Sequence, residues 1–366
     1  MDASGGLAVV HAPFPITGRT VVLLAEGCFS PLGSKTAACF LRYRRHQVVA
    51  VLDSTKAGMR AVDAIGFGGD VPVVGTLEKA LPFGPEVALL GVAPRGGVLD
   101  ERFKKIVIEC LERGLDVISG LHQFLEEDED IRAVLARSGA HVWDVRRSPE
   151  TRLVASGKGC TTGARTVFIA GTDCNVGKMT CAYECAAAAE RRGIRAGWAA
   201  TGQTGIILRE RGIAVDRVIG DFIGGAAEAL VNLEGTDKDL VFVEGQGSIF
   251  HPGYAGVAMG LLFGVMPDDI IMCHEAGRTA VRGYDAAIPP MKEVIDLHER
   301  LFRHARRVRV SGIALNTMSL DAADARRAVG DLEDETGLPV TDPIRFGCDA
   351  LIDAVTQPRR ENGGGA

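Results

Sequence analysis

Apolar residues along the chain fall into short unbroken runs separated by stretches of helical periodicity, which is the signature of strands buried on both faces and connected by helices. The first such run is Thr20 to Ala25, and Ser34-Lys35-Thr36 opens a helix reaching about Arg45. Gln47 to Leu52 is a second run, ending in Asp53-Ser54-Thr55-Lys56-Ala57-Gly58. Strand, loop, helix and strand at this spacing predict a parallel βαβ unit. Val71 to Pro82 adds a short strand and turn, Val87 to Val92 a buried strand, Leu99 to Arg113 a helix and Asp116 to Ser119 a strand. A helix is expected from near Glu126, where the acidic run to Asp130 suits a solvated first turn, and His141 to Val145 closes the series.

The pattern breaks between about 146 and 164, a stretch without regular periodicity, and then resumes. This divides the chain into an α/β domain over residues 1–150, a linker over 151–164, a second α/β domain over 165–356 and a disordered tail over 357–366. The second domain opens on Thr166 to Ala170 and continues with strands at Ala196 to Ala200, Leu240 to Val243, Asp269 to Cys273, Arg307 to Leu315 and an edge at Pro339 to Asp342. Helices are expected from Cys181, Ala226, Ala255, Met291, Asp321 and Cys348. Thr201-Gly202-Gln203-Thr204-Gly205 reads as a loop of small and hydroxylic residues, and Val215 to Ile219 as extended chain.

Composition changes this picture little. The chain has 366 residues, enough for two moderate cores, 46 glycines, and 41 basic against 47 acidic residues for a net charge of −6. That balance offers no global attraction to nucleic acid or an anionic membrane. The nine cysteines are scattered, without zinc-ribbon pairs or a secreted disulfide context, and no run approaches the length of a membrane span. A reduced cytoplasmic protein is the expectation.

The chemistry concentrates in Gly171-Thr172-Asp173-Cys174-Asn175-Val176-Gly177-Lys178-Met179-Thr180, between an apolar run and a helix. A strand, a glycine-containing turn and a helix N-terminus in that order form a phosphate cradle, with backbone N–H groups and the helix dipole facing the anion and Lys178 adding a charge. A glycine-rich turn without ligand is the alternative. Met179 stands where a Ser or Thr hydroxyl is usual, so the loop offers Mg²⁺ no hard oxygen there. Beyond the later strands lie Glu244, an acid–base candidate because a carboxylate at such a strand end faces the loop, His251 in a turn before Pro252, His274 for proton transfer and Arg278 for an acidic substrate. Arg95, in the turn after Val87 to Val92, presents a guanidinium suited to a carboxylate or phosphate. Each of these also has an ordinary structural reading as a cap, a solvated turn residue or a backbone-ordering group.

The phosphate loop and Val243-Glu244-Gly245 resemble those of dethiobiotin synthetase. The longer set is similar to a bacterial family joining a Rossmann-like N-terminal domain to a phosphate-loop C-terminal domain, the family that includes D-glutamate N-acetyltransferase. The set comprises Glu26-Gly27 with Ser34-Lys35-Thr36, Asp53 to Gly58, Val92-Ala93-Pro94-Arg95-Gly96-Gly97, Thr201 to Gly205, Asp221-Phe222-Ile223-Gly224-Gly225-Ala226-Ala227-Glu228, and Glu244-Gly245-Gln246-Gly247-Ser248 with His251-Pro252. It spans residues from about 20 to 355.

The resemblance implies a Rossmann-like domain followed by a P-loop NTPase-like, dethiobiotin synthetase-like domain. It also implies acetyl transfer from acetyl-CoA to the amino group of D-glutamate or a similar acidic amino acid, with no metal strictly required. The loop would then hold the phosphorylated end of CoA. Glu244 would take the amine proton with His251 second, and Lys35, Arg95 and Arg278 would bind the carboxylates. The partner would be the small acidic amino acid and the assembly a homo-oligomer, with a dimer the simplest form. Two other readings stand beside it: an ATP/Mg-dependent ligase or kinase like dethiobiotin synthetase, and a nucleotide-sensing protein that binds a partner.

Overall fold

Continuous apolar strands cannot leave a face in water, and in the computed structural model, which describes residues 9–92 and 96–357, they form two six-stranded parallel sheets. The chain divides into two compact units. One holds Val9–Pro149 together with Gln203–Arg217; the other holds Glu150–Gly202 and the chain from Val218 onward.

The sheet of the first unit runs Val73–Val74, Val48–Leu52, Val21–Leu24, Val87–Leu90, Asp116–Ser119 and Val142–Asp144, every neighbouring pair parallel. The first strand is central and later strands spread to both sides, the order of dinucleotide-binding sheets. Its core is aliphatic: Val22, Leu24, Ala50, Leu52, Ala88, Leu90 and Val117 pack against Phe103, Val107 and Leu111 of the helix Glu101–Glu112. Where such sheets receive a pyrophosphate, this unit places its own carboxylates. Fully buried Asp53 accepts from the N–H groups of Gly27 (3.1 Å), Phe29 (2.9 Å) and Thr55 (2.9 Å), and Glu26 accepts from the N–H of Ser54 (2.7 Å).

Three local readings needed correction. The helix expected from Glu126 starts at Glu129, because the Asp128 carboxylate accepts from the N–H groups of Asp130 and Ile131 and caps it there. The expected loop at Thr201 to Gly205 is instead the start of a helix, Gln203–Arg209. Its Gln203, Thr204, Ile206, Ile207 and Leu208 are buried in the first unit, and Thr204 Oγ1 lies 3.1 Å from Thr36 Oγ1. Tertiary burial overrides the weak helix preference of this glycine- and threonine-bearing stretch. Val215–Arg217 is a tight helical turn, not extended chain. Between the two, Arg211–Gly212 pairs antiparallel with Val10–His11, and Glu210 accepts from the N–H groups of Ile16 and Thr17.

The sheet of the second unit runs Val340–Thr341, Arg309–Asn316, Asp269–Glu275, Arg165–Gly171, Leu240–Glu244 and Ala196–Ala199, again all parallel. The phosphate-loop strand Arg165–Gly171 is inside the sheet, flanked by Asp269–Glu275 and Leu240–Glu244. Chain connections diverge to both sides of it, and that is where ligands collect beyond the carboxyl ends of the strands. The stretch leading into this sheet is held by Glu228, which accepts from the N–H groups of Ser156 (2.7 Å), Lys158 (3.1 Å) and Gly159 (2.9 Å). Residues 358–366, most of the tail expected to be disordered, lie outside the described residues.

Asp53 generates a stability prediction. Burial pushes its carboxyl upward, but hydrogen bonds from Thr55, Phe29 and Gly27 outweigh this and leave it below the ordinary carboxylate range. Because the folded value is the lower one, its stabilisation is present above the unfolded value near pH 4 and fades as pH falls through the folded value. Asp53→Ala, which strands those donors, should cost about 1–3 kcal/mol at pH 7. Thermal unfolding of both proteins from pH 7 downward checks this: the difference in Tm should narrow below about pH 4.

Candidate active site

The loop after Arg165–Gly171 turns on two residues with positive φ, Asn175 at 57° and Gly177 at 110°, and Gly177 leads directly into the helix Lys178–Arg191. Asn tolerates this region and glycine adopts it freely. The loop therefore delivers a helix N-terminus to the end of a buried strand, an arrangement suited to an anion. Lys178 folds back so that its Nζ donates to the carbonyl of Asp173 at 2.8 Å. Gly171 makes this possible, since a Cβ there would stand 3.1 Å from Nζ and 2.9 Å from Val176 Cγ2. Met179 is buried in the core side of the helix and supplies packing in place of a hydroxyl.

Asp173 points inward and is completely buried. Its Oδ2 accepts from Arg278 Nη1 at 2.9 Å and from the N–H of Arg282 at 2.8 Å, while Oδ1 accepts from the N–H of Cys174 at 2.7 Å. Arg278 also donates to the carbonyl of Cys174 at 2.8 Å and forms a short ion pair with Glu275. The phosphate loop and the segment after Asp269–Glu275 are thus tied together through one carboxylate.

The three histidine and glutamate candidates differ in surroundings. Glu244, buried at the end of Leu240–Glu244, accepts from the N–H groups of Thr201 (3.3 Å) and Gly202 (3.4 Å) and from Gln246 Nε2 (3.1 Å). Gly245 must be glycine, because a Cβ would lie 2.1 Å from the carbonyl oxygen of Ile169. His274 Nδ1 lies 2.8 Å from Thr172 Oγ1, and burial first, then the charge of Arg278, pushes its pKa down to about 4. Its ring is therefore neutral near pH 7.

His251 is buried beside the loop, with Nε2 4.0 Å from Asp173 Oδ1. Burial lowers its pKa, assisted by the charge of Lys178. Asp173, Cys174 and His251 bring one potential ligand atom each within 4.8 Å of one another, the grouping among the described residues with metal-binding potential. The hydrogen bond at Nδ1 weighs against that use. Nδ1 accepts from the N–H of Gly253 at 3.1 Å, so the neutral ring carries its proton on Nε2, the nitrogen facing Asp173. A metal at Nε2 requires that proton to leave; a donor role does not.

The site therefore gathers the phosphate loop, Glu244, His251, His274 and Arg278 in one unit. Lys35 opens the helix Lys35–Tyr43 of the other unit, and Arg95 lies outside the described residues. Sequence reasoning did not single out Glu275 as the partner of Arg278, or Gln246 and the Thr201–Gly202 backbone as the partners of Glu244. It also passed over Tyr254 and Tyr284, whose rings stand 4.5 and 5.0 Å from that of His251. The available signal was that each follows a glycine beyond one of the two strands flanking the phosphate loop.

Comparison with known proteins agrees with this architecture. A family model described as a domain of unknown function (DUF1611_C), P-loop domain, matches residues 153–352, and its companion (DUF1611_N), Rossmann-like domain, matches residues 54–148. A D-glutamate N-acetyltransferase of Tritonibacter scottomollicae is 39% identical over 282 residues, covering 76% of this chain and 84% of that protein. A D-glutamate N-acetyltransferase of a Pseudoalteromonas species is 36% identical over 277 residues, covering 75% and 82%. The crystal structure of a DUF1611 family protein from Anabaena variabilis ATCC 29413 superposes with a TM-score of 0.88 at 38% identity, covering 93% of this chain and 100% of that one. With both domains matched in order and curated relatives aligned over most of its length, the chain belongs to the DUF1611 family and is an enzyme of the N-acetyltransferase kind.

Proposed function

We propose that this enzyme moves an acetyl group from acetyl-CoA to the amino group of D-glutamate or a closely similar acidic amino acid, releasing the N-acetyl amino acid and CoA. The observation that carries the reading is a phosphate loop with its lysine in place but a buried methionine where a metal-binding hydroxyl is usual. Relatives with D-glutamate N-acetyltransferase activity by name make CoA the natural phosphate-bearing ligand for it. Acetyl-CoA supplies an activated thioester; the protein has to hold its phosphates, accept a proton from the attacking amine and donate to the oxygen on which charge develops.

In this reading Lys178 and the helix N-terminus hold phosphate. Glu244 takes the amine proton, its buried carboxylate held at the end of the strand by the N–H groups of Thr201 and Gly202 and by Gln246 Nε2. His251, protonated on Nε2, acts as a donor, and neutral His274 orients Thr172. Arg278 offers a substrate carboxylate the guanidinium edge now paired with half-buried Glu275, while its bond to Asp173 keeps the loop in place.

Two experiments test these roles. Calorimetry without divalent metal should detect CoA binding, and Lys178→Ala should weaken it by about 1–3 kcal/mol through loss of a charge-assisted contact. Equal affinity in mutant and wild type would remove the loop from CoA binding. Glu244→Gln keeps the size of the side chain and one acceptor oxygen; it should lower kcat by about 10²- to 10⁴-fold with CoA affinity retained. Near-normal turnover in that variant would leave Glu244 as a support of the Thr201–Gly202 backbone alone.

A further inference from the structure

Two tyrosines beside the phosphate loop have no part in the chemistry assigned so far. Tyr254 precedes the helix Ala255–Val265, on the path leaving Leu240–Glu244, and Tyr284 lies between Asp269–Glu275 and the helix Met291–Phe302. These strands flank Arg165–Gly171 on opposite sides, so the rings converge from both sides of the point where the sheet's connections diverge. They meet on the buried ring of His251, Tyr254 tilted at 32° and Tyr284 edge-on at 77°. Yet both keep large apolar surface in solvent, with 52% of Tyr254 and 39% of Tyr284 exposed.

The surrounding backbone is cleared for them. A Cβ on Gly253 would lie 2.7 Å from the Tyr284 hydroxyl, and one on Gly247, which has φ of 55°, would lie 2.8 Å from Tyr254 Cβ. The Tyr284 segment is further anchored to the loop itself, because Arg278 and the Arg282 N–H both bind Asp173. Partly exposed aromatic rings packed on a buried imidazole beside a phosphate loop are what a ligand with a phosphate and a flat or apolar neighbouring group requires.

We propose that Tyr254 and Tyr284 form an aromatic clamp that packs on the part of the acyl donor adjoining its phosphates. The assignment rests on the reading that the phosphate loop holds CoA. CoA presents two such parts, the purine nucleoside on one side of its diphosphate and the pantetheine arm on the other, and the clamp's faces suit either.

Calorimetry on the full chain with CoA, ADP, 4′-phosphopantetheine and inorganic pyrophosphate separates these cases. Tyr254→Ala/Tyr284→Ala should weaken CoA roughly 10- to 100-fold, the range of aromatic stacking, with pyrophosphate affinity unchanged. The fragment that loses affinity in parallel identifies which side of CoA is clamped. Tyr254→Phe/Tyr284→Phe should bind CoA as wild type does, since the ring faces make the contact, and Tm of both variants verifies folding. If wild type binds CoA and the double alanine variant binds it equally, or loses pyrophosphate to the same degree, the clamp is overturned while the donor assignment stands. If wild type binds no CoA, the donor assignment fails and the clamp fails with it.

Discussion

The candidate site depends on the burial of one charge. Asp173 has no exposed surface, and a carboxylate in that position survives only if its oxygens are fully answered. Arg278, the Arg282 N–H and the Cys174 N–H supply the answer, and in doing so connect the phosphate loop to the segment beyond Asp269–Glu275. Removing one partner of such a buried pair costs several kilocalories per mole, far more than an exposed ion pair contributes. The position of Lys178 at the Asp173 carbonyl, the approach of Tyr284 and the company of His251 follow from this arrangement.

The same logic appears in the Rossmann-like unit with the opposite outcome. There the strand order creates the crevice used by dinucleotide enzymes, but Asp53 accepts the N–H groups of Gly27 and Phe29 in the loop after the first strand, where such enzymes seat a pyrophosphate. Fold class alone would suggest a nucleotide in that unit; the hydrogen bonds redirect attention to the phosphate-loop unit. Function follows from the groups placed on a fold and not from its topology.

Much of this was legible in the chain. Runs such as Val21 to Leu24 and Leu240 to Val243 have no polar alternation, so they had to be buried parallel strands, and the phosphate loop declares itself by its glycines and lysine between strand and helix. Helix Gln203–Arg209 was not legible, because its burial depends on Thr36 and other residues far away in sequence. The commitment of Arg278 to Asp173 and Glu275 was equally hidden, since a guanidinium at a strand exit suits a substrate and a structural carboxylate alike. Tyr254 and Tyr284 become a pair only once the two flanking strands are known to sit on either side of the loop.

Buried Met179 stands where a phosphate loop usually carries a metal-binding hydroxyl, and this supports the proposed acetyl-transfer reading. The most direct test incubates the purified enzyme with acetyl-CoA and, separately, D-glutamate and L-glutamate, without nucleotide, and identifies products by mass spectrometry. The account predicts N-acetylglutamate and free CoA from the D-enantiomer. No acetylated amino acid with either enantiomer, alongside turnover that appears only when ATP and Mg²⁺ are supplied, would contradict it.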